Sequence, residues 1–231
     1  MKRLLIMIVA LLFLTGCAAY KDDMVNEEDE AAAETEPTDL YDYAKNFVIT
    51  ENDYTVSVNA DWAIDIRDMQ VITENSTDIF VGFVRSKDGC FANLDGKGFN
   101  ALLYTSGTIE VKEVYKGNAQ GVIKYVRNGG IMSYAEYLDQ APEEMREKHL
   151  SMLQGEMPQY VSVQMEGDIP IETGKTYLIL SDYSAEADFY FIHFAQYGLR
   201  EIIKKDGNLC VKNNDTGEYT LLKDIAVSLT E

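Results

Sequence analysis

Residues 78–84 read Asp78-Ile79-Phe80-Val81-Gly82-Phe83-Val84, an almost unbroken apolar run with a glycine near its centre. A short run of β-branched and aromatic residues followed by turn residues predicts a buried β-strand. Gly82 has no side chain to pack inside a strand, so it indicates a bulge or a bend. The stretch therefore predicts a buried strand in a β domain.

Further strands follow on the C-terminal side of this run. Residues 102–114 alternate between polar and apolar side chains, which predicts a long, half-buried strand. Shorter strands are predicted at residues 122–126, 160–163, 176–180 and 189–197, and a hairpin at 213–217. Many short strands separated by turns favour a mostly β fold, either a small closed barrel or, alternatively, a β-sandwich.

One helical insertion is predicted at about residues 133–154. Ser133 and Glu136 have the spacing of a capping box, in which a serine hydroxyl and a glutamate satisfy the free amides of a helix start. Pro142 fits the first turn of a second helix. The insertion interrupts the series of strands without ending the domain, which we predict to span residues 46–231.

The chain begins with the pattern of an export signal. Lys2 and Arg3 precede an apolar stretch that is too short to span a bilayer as a helix. The stretch ends in Leu14-Thr15-Gly16-Cys17, which resembles the lipobox of bacterial lipoproteins. The resemblance implies a signal peptide at residues 1–16, lipidation of Cys17, and a cell-membrane protein lipid-anchored on the extracytoplasmic face. An ordinary signal peptide cleaved after Gly16 or Ala19 is the alternative.

The residues after Cys17 predict an acidic, disordered tether at 17–45. Residues 21–42 hold ten acidic residues and a single lysine, Lys21. Such a segment has too little apolar surface to offset the entropy cost of ordering. The whole chain carries a formal charge of −19, with 39 acidic against 20 basic residues. This excess of acid argues against a nucleic-acid partner, because nucleic-acid binding depends on clustered Lys and Arg.

Residues 78–183 resemble the netrin-like group of OB folds, which includes the tissue inhibitors of metalloproteinases. The resemblance rests on residues 78–84, on Ile109-Glu110-Val111-Lys112-Glu113-Val114-Tyr115-Lys116-Gly117, and on Gly174-Lys175-Thr176-Tyr177-Leu178-Ile179. It implies an OB-like small barrel. The animal inhibitors place a disulfide-tied N-terminal cysteine on the zinc of the protease, and nothing here matches that edge. The resemblance therefore implies an architecture and no inhibitory residue.

The remaining cysteines and histidines give no signature of catalysis. Cys90 and Cys210 could form a disulfide outside the cytoplasm, or remain two separate thiols. Neither cysteine shows a recognisable spacing to His149 or His193 that would indicate a nucleophilic site.

An aromatic segment near residue 190 could form a ligand face. Tyr190, His193, Phe194 and Tyr197 lie on the strand predicted at 189–197, and their rings could line a groove of an OB-like barrel. The alternative is that these rings fill the core, because large aromatic side chains supply much of the buried area in small domains.

Two other motifs have ordinary structural interpretations. Asp215-Thr216-Gly217 is the triplet of aspartic proteases, but its polar neighbours favour a hairpin turn. The loop from Asp88 to Gly98 offers Asp88 and Asp95 to calcium, yet its spacing does not fit an EF-hand, which favours a flexible loop.

We therefore expect a binding or interaction module rather than an enzyme, with no metal and no cofactor. Its partners would be the membrane, through the N-terminal lipid, and an unknown protein or small ligand at the bacterial envelope. The alternative is an extracytoplasmic hydrolase that acts on envelope polymers. The sequence contains no recognisable catalytic triad, Walker loop, zinc motif or dinucleotide fingerprint to support it.

Overall fold

The computed structural model describes residues 40–92, 102–153 and 155–230. These residues form a mostly β domain with a few short helices. In chain order, the elements are β1 (Tyr41–Asp42), β2 (Tyr54–Val58), α1 (Met69–Glu74), β3 (Asp78–Phe91), β4 (Tyr104–Lys116), β5 (Val122–Asn128), β6 (Gly130–Ser133), α2 (Tyr134–Gln140), α3 (Glu143–Met152), β7 (Tyr160–Met165), β8 (Thr176–Ser184), β9 (Phe189–Ile192), α4 (Ala195–Gly198), β10 (Leu199–Lys205), β11 (Asn208–Lys212), β12 (Tyr219–Leu221) and α5 (Leu222–Thr230).

Five strands close into a small barrel. β3 pairs with β4, β4 with β5, β5 with β9, β9 with β8, and β8 returns to β3. The β5–β9 pairing is parallel and the other four are antiparallel. The order around the barrel is β3-β4-β5-β9-β8. If these five strands are numbered 1 to 5 along the chain, the order is 1-2-3-5-4, which is the arrangement of an OB-like barrel. The predicted fold class is therefore confirmed.

Additional strands extend this barrel on both sides. β10, β11 and β12 continue antiparallel from β8, with the predicted hairpin turn at 213–217 between β11 and β12. β1 pairs in parallel with the opposite part of β3. A separate three-stranded sheet has the order β2-β7-β6. The predicted helical insertion is confirmed as α2 and α3, which connect β6 to β7.

The insertion begins at Ser133, which caps α2 as predicted, although Glu136 accepts from the Ser133 hydroxyl and not from its backbone amide. The backbone amide of Glu136 donates to Ser133 Oγ at 3.2 Å, and Ser133 Oγ donates to Glu136 Oε2 at 2.7 Å. Tyr134, Tyr137 and Leu138 on α2 are buried against the three-stranded sheet. The helix is therefore fixed at its start and along one face, which holds the small sheet in place.

Two apolar clusters fill the two faces of the large sheet. The barrel core lies inside the closed strands and includes Phe80, Ile109, Tyr125, Tyr177 and Ile179. The outer core lies between the outside of β3 and β8 and the helices α1 and α5, and it includes Ile79, Leu178, Leu180, Phe194 and Leu229. Alternation along β3 and β8 sends successive side chains to these two cores, so both faces of these strands are buried.

Gly82 allows β3 to bend around the barrel core. The pairing of β3 with β4 shifts register between Val81 and Gly82, as the sequence predicted for a bulge. A methyl group at Gly82 would overlap Ile109 Cγ2 and stand 3.1 Å from Ile179 Cδ1, inside the barrel core. The position therefore has no room for a side chain.

We expect Gly82→Ala to lower the free energy of unfolding by about 1–3 kcal/mol, the usual cost of overpacking a core. Gly89→Ala is the matched control on the same strand, because nothing lies within 4 Å of a methyl group there. Urea unfolding of the two variants measures the difference. Equal stability of the two variants would contradict the proposed packing at Gly82.

The first residues that the structure describes lie on the domain. These residues, 40–47, are here called the N-terminal strap. Asp42 pairs with Lys87 in the β1–β3 register, and Lys87 Nζ lies 2.7 Å from Asp42 Oδ2. Tyr43 OH donates to Ile131 O at 2.6 Å, and the ring of Phe47 stacks on Tyr160. These hydrogen bonds and ring contacts order a segment that composition alone assigns to the spacer.

Candidate functional site

A cavity of about 290 Å³ lies between the barrel and the three-stranded sheet. One side is formed by strands β3, β4 and β5, the other by β6 and β7 with the loop that follows β7, and the N-terminal strap contributes Tyr43 and Ala44. The lining combines apolar and polar side chains. The polar side chains are Tyr43, Lys87, Thr105, Arg127, Asn128, Ser162, Gln164 and Asp168.

Arg127 is the most buried charged residue of this cavity, at 3% exposure. It follows Ile123 and Tyr125 at every second position of β5, so alternation places its side chain on the inner face of the barrel strand. Nη2 donates to Asp168 Oδ1, whereas Nη1 has no hydrogen-bond partner among the described residues. Burial lowers the pKa of Arg127, although Asp168 opposes this shift.

Asp168 is the buried counter-charge, with 7% of its side chain exposed. The backbone amide of Ile169 donates to Asp168 Oδ1 at 2.8 Å. Burial raises the pKa of Asp168, and the guanidinium of Arg127 acts in the opposite direction. The loop after β7 thus supplies one carboxylate to the barrel arginine, and leaves one guanidinium nitrogen unpaired.

The junction of β5 and β6 shapes another wall of the cavity. Thr105 Oγ1 donates to Gly129 O at 2.8 Å. A methyl group on Gly130 would stand 2.6 Å from Cys90 Sγ and 2.7 Å from Thr105 Oγ1. Gly130 also has a φ of 156°, so only glycine fits this close approach without strain. At Gly130, where the chain passes from the barrel to the three-stranded sheet, the backbone therefore packs tightly against Cys90 and Thr105.

Burial shifts the pKa of two groups around the cavity. Burial raises the pKa of the Cys90 thiol to about 11, so the thiol stays protonated at neutral pH and is a poor nucleophile. Burial also raises the pKa of Tyr43. Among the described residues that line the cavity there is no histidine, and its one carboxylate is paired with Arg127. A nucleophile with an adjacent base is therefore lacking in this part of the structure.

A second, more open cavity of about 460 Å³ lies beside residues 59–67. Its charged side chains are Asp61, Asp65, Arg67 and Glu166, all exposed. Exposed charges are well solvated and gain little from a ligand. The first cavity, where the charges are buried, is the stronger candidate.

The predicted ligand face does not form one surface. The ring of Tyr190 lies 5.9 Å from that of Phe80, against the barrel core. Phe194 is buried in the outer core, 6% exposed, and its ring lies 6.0 Å from Trp62. These two rings lie on opposite faces of the sheet. Tyr190 packs against the barrel core and Phe194 is part of the outer core, as the core-filling alternative describes.

The other two residues of that predicted face also have structural contacts. His193 Nε2 lies 3.0 Å from Asp182 Oδ2 without hydrogen-bond geometry, and its ring lies 4.7 Å from Phe191. Burial lowers the pKa of His193 against the pull of Asp182. Tyr197 OH donates to Asp215 Oδ1 at 3.0 Å. None of the four residues lines the cavity that contains Arg127.

The predicted disulfide between Cys90 and Cys210 is absent, and both thiols are free. Cys90 lies on β3 and Cys210 on β11, and the path β3–β8–β10–β11 crosses three strand spacings. At about 4.8 Å a spacing, the strands are about 14 Å apart. A disulfide needs Cα atoms within about 7 Å.

The remaining motifs are resolved in part. Asp215-Thr216-Gly217 lies in the turn between β11 and β12, where Gly217 N donates to Asn213 O at 2.8 Å. Asp88 lies in β3, whereas Asp95 and Cys17 lie outside the described residues. Within residues 40–92, 102–153 and 155–230, no group of three or more His, Cys, Asp or Glu side chains is placed to hold a metal ion.

No protein-family model matches the chain, and no curated protein is similar to it in sequence. None of the described helices is long and apolar enough to cross a bilayer. Sequence reasoning missed Arg127 and Asp168, the two residues that distinguish the first cavity. The available signal was a charged residue in inward register with Ile123 and Tyr125 on a strand that is otherwise apolar on that face.

Proposed function

We propose that this protein is a lipid-anchored binding module at the extracytoplasmic face of a bacterial membrane, and that it holds a small ligand in the cavity beside Arg127. The observation that carries the proposal is a cavity of about 290 Å³ whose wall contains a buried, incompletely paired guanidinium. Apolar pockets with a few fixed polar groups are the usual form of small-molecule sites. The lipobox-like sequence at Cys17 supports the location at the membrane.

Catalysis has less support than binding. A hydrolase would need a nucleophile next to a base, and the His193–Asp182 pair brings together a base and a carboxylate but no nucleophile. Within the described residues, no serine, threonine or cysteine side chain is hydrogen-bonded to His193. The polar groups around Arg127 can orient a ligand, but offer no activated nucleophile to attack one.

The binding proposal predicts that small molecules bind at the cavity of the full-length protein. A library of fragments is screened by protein-observed NMR, and we expect the resonances of Thr105, Arg127 and Ser162 to shift. Ala44→Phe should weaken these fragments about tenfold or more, because a phenyl group on the strap narrows the cavity. Val48→Phe is the matched control, since Val48 directly follows the strap, is 69% exposed and does not line the cavity.

Two outcomes would contradict the proposal. One is a screen in which no fragment shifts the cavity resonances. The other is a set of fragments that bind equally well to the wild type, Ala44→Phe and Val48→Phe, because such binding would lie elsewhere on the surface.

A further inference from the structure

The buried guanidinium of Arg127 lacks one acceptor. Its Nη2 is bound by Asp168, but Nη1 has no partner among the described residues and is fully removed from the protein surface. A buried donor without an acceptor is strongly unfavourable, and a charged donor more so. Arg127 lines the adjacent cavity, so an occupant that brings an oxygen acceptor to the guanidinium would relieve this cost once the side chain turns Nη1 toward it.

The charges around the cavity favour an anion with one negative charge. Two cations, Lys87 and Arg127, line it, each with one carboxylate partner, Asp42 and Asp168. The pairs leave this wall near neutrality, in a chain whose net charge is −19. A doubly charged phosphate would place its second charge near Asp42 and Asp168. A carboxylate is a charged acceptor for the one guanidinium nitrogen that Asp168 leaves unpaired, and it adds one charge only.

Part of the cavity suits an apolar body. Its lining includes Ile131, Val163, Met165, Pro170 and Ile171. An apolar cavity of about 150 Å³ holds benzene, so about 290 Å³ is room for about ten non-hydrogen atoms.

We propose that the cavity binds a small organic monocarboxylate, with the carboxylate on Arg127 and the apolar body against the small sheet and the loop after β7. This inference rests on the proposed binding function and adds the chemical class of the ligand. The N-terminal strap forms part of the wall through Tyr43 and Ala44, so the bound ligand also contacts the segment that leads back to the membrane tether.

Matched probes test the charge of the ligand. Benzoate and hexanoate are titrated into the full-length protein beside their uncharged amides, benzamide and hexanamide, with inorganic phosphate as a third arm. We expect each carboxylate to bind about tenfold or more tightly than its amide, because hydrogen bonds to a charged acceptor are about twice as strong. Phosphate should not compete with either carboxylate.

Two substitutions test Arg127 with effects of opposite sign. Arg127→Lys keeps a cation beside Asp168 but removes the second nitrogen donor that is left for a ligand, so benzoate binding should weaken about tenfold or more. Asp168→Asn removes the competing carboxylate, so benzoate binding should strengthen. A merely structural role of the pair would weaken binding in both variants. If either variant fails to fold, the carboxylate and amide comparison on the wild type decides.

The outcomes separate the ligand class from the binding function. Amides that shift the cavity resonances as strongly as the carboxylates, or phosphate that binds in their place, would overturn the monocarboxylate and leave the binding function standing. Failure of all these probes, together with failure of the fragment library, would overturn both.

Discussion

Replacing Arg127 with methionine is expected to lower the free energy of unfolding by about 3–5 kcal/mol, the usual cost of removing one partner of a buried ion pair. The side chains of Arg127 and Asp168 are 4% and 7% exposed, so little water is available to solvate the carboxylate that remains. The free energy of unfolding of a native domain is about 5–15 kcal/mol, so this loss is a large part of the total stability. Urea unfolding of the wild type and the variant measures it.

A second substitution distinguishes the lost pair from lost packing. Asp168→Asn in the Arg127→Met background removes the uncompensated charge but keeps an oxygen for the amide of Ile169. The double variant should therefore be more stable than Arg127→Met alone. A double variant that is less stable would show that packing, not charge, explains the loss.

The stability of the single variant Arg127→Met should depend on pH in a defined direction. Burial raises the pKa of Asp168, and loss of the guanidinium removes the group that lowers it. When the pKa of a carboxyl is higher in the folded than in the unfolded protein, the protein keeps its full stability below the unfolded-state pKa, about 4. It loses stability as the pH rises through the folded-state pKa. The deficit of Arg127→Met should thus be small near pH 4 and grow toward pH 7.

The barrel strands could be predicted because their signal is local. The apolar run around Gly82 and the alternation of residues 102–114 each identify a strand without knowledge of its partner. Closure of the barrel has no such local signal, because the parallel β5–β9 pairing joins segments that are about sixty residues apart in the chain. It followed from the resemblance to OB folds rather than from any local pattern.

Two ordered segments at the ends of the domain were not predicted, for different reasons. The strap is ordered by Asp42–Lys87 and Tyr43–Ile131 contacts, which composition cannot show. α5 had a readable signal, because Leu222, Ile225 and Leu229 recur at helical spacing and face the outer core.

The site was harder to predict than the fold. Arg127 in an inward position was visible from the register of β5, but its partner Asp168 lies 41 residues further along the chain, in a loop. Tyr190, His193, Phe194 and Tyr197 do not share one face, because β9 ends at Ile192 and Phe194 adopts a left-handed φ of 61°. The alternation assumed from 189 to 197 therefore ends after four residues of strand.

Replacing Cys17 with serine should move the protein from the detergent phase to the aqueous phase in a Triton X-114 partition. One acyl chain holds a protein only marginally, whereas two or three hold it stably, and a serine hydroxyl cannot accept the thioether-linked lipid. Once residues 1–16 have been removed, the segment that follows Cys17 does not favour the bilayer, because the acidic residues of 21–42 are repelled by anionic headgroups. The effect should be close to complete.

Cysteine substitution as such is controlled by Cys210→Ser, which alters a buried thiol of β11 and should leave the protein in the detergent phase. Mass spectrometry of the mature wild type should show acyl chains on the residue that corresponds to Cys17. If Cys17→Ser remains in the detergent phase although mass spectrometry shows that residues 1–16 have been removed, the anchor is not on this cysteine and the lipoprotein assignment is wrong. Binding at Arg127 would be unaffected by that result, because the cavity is built from residues of the strap and the domain.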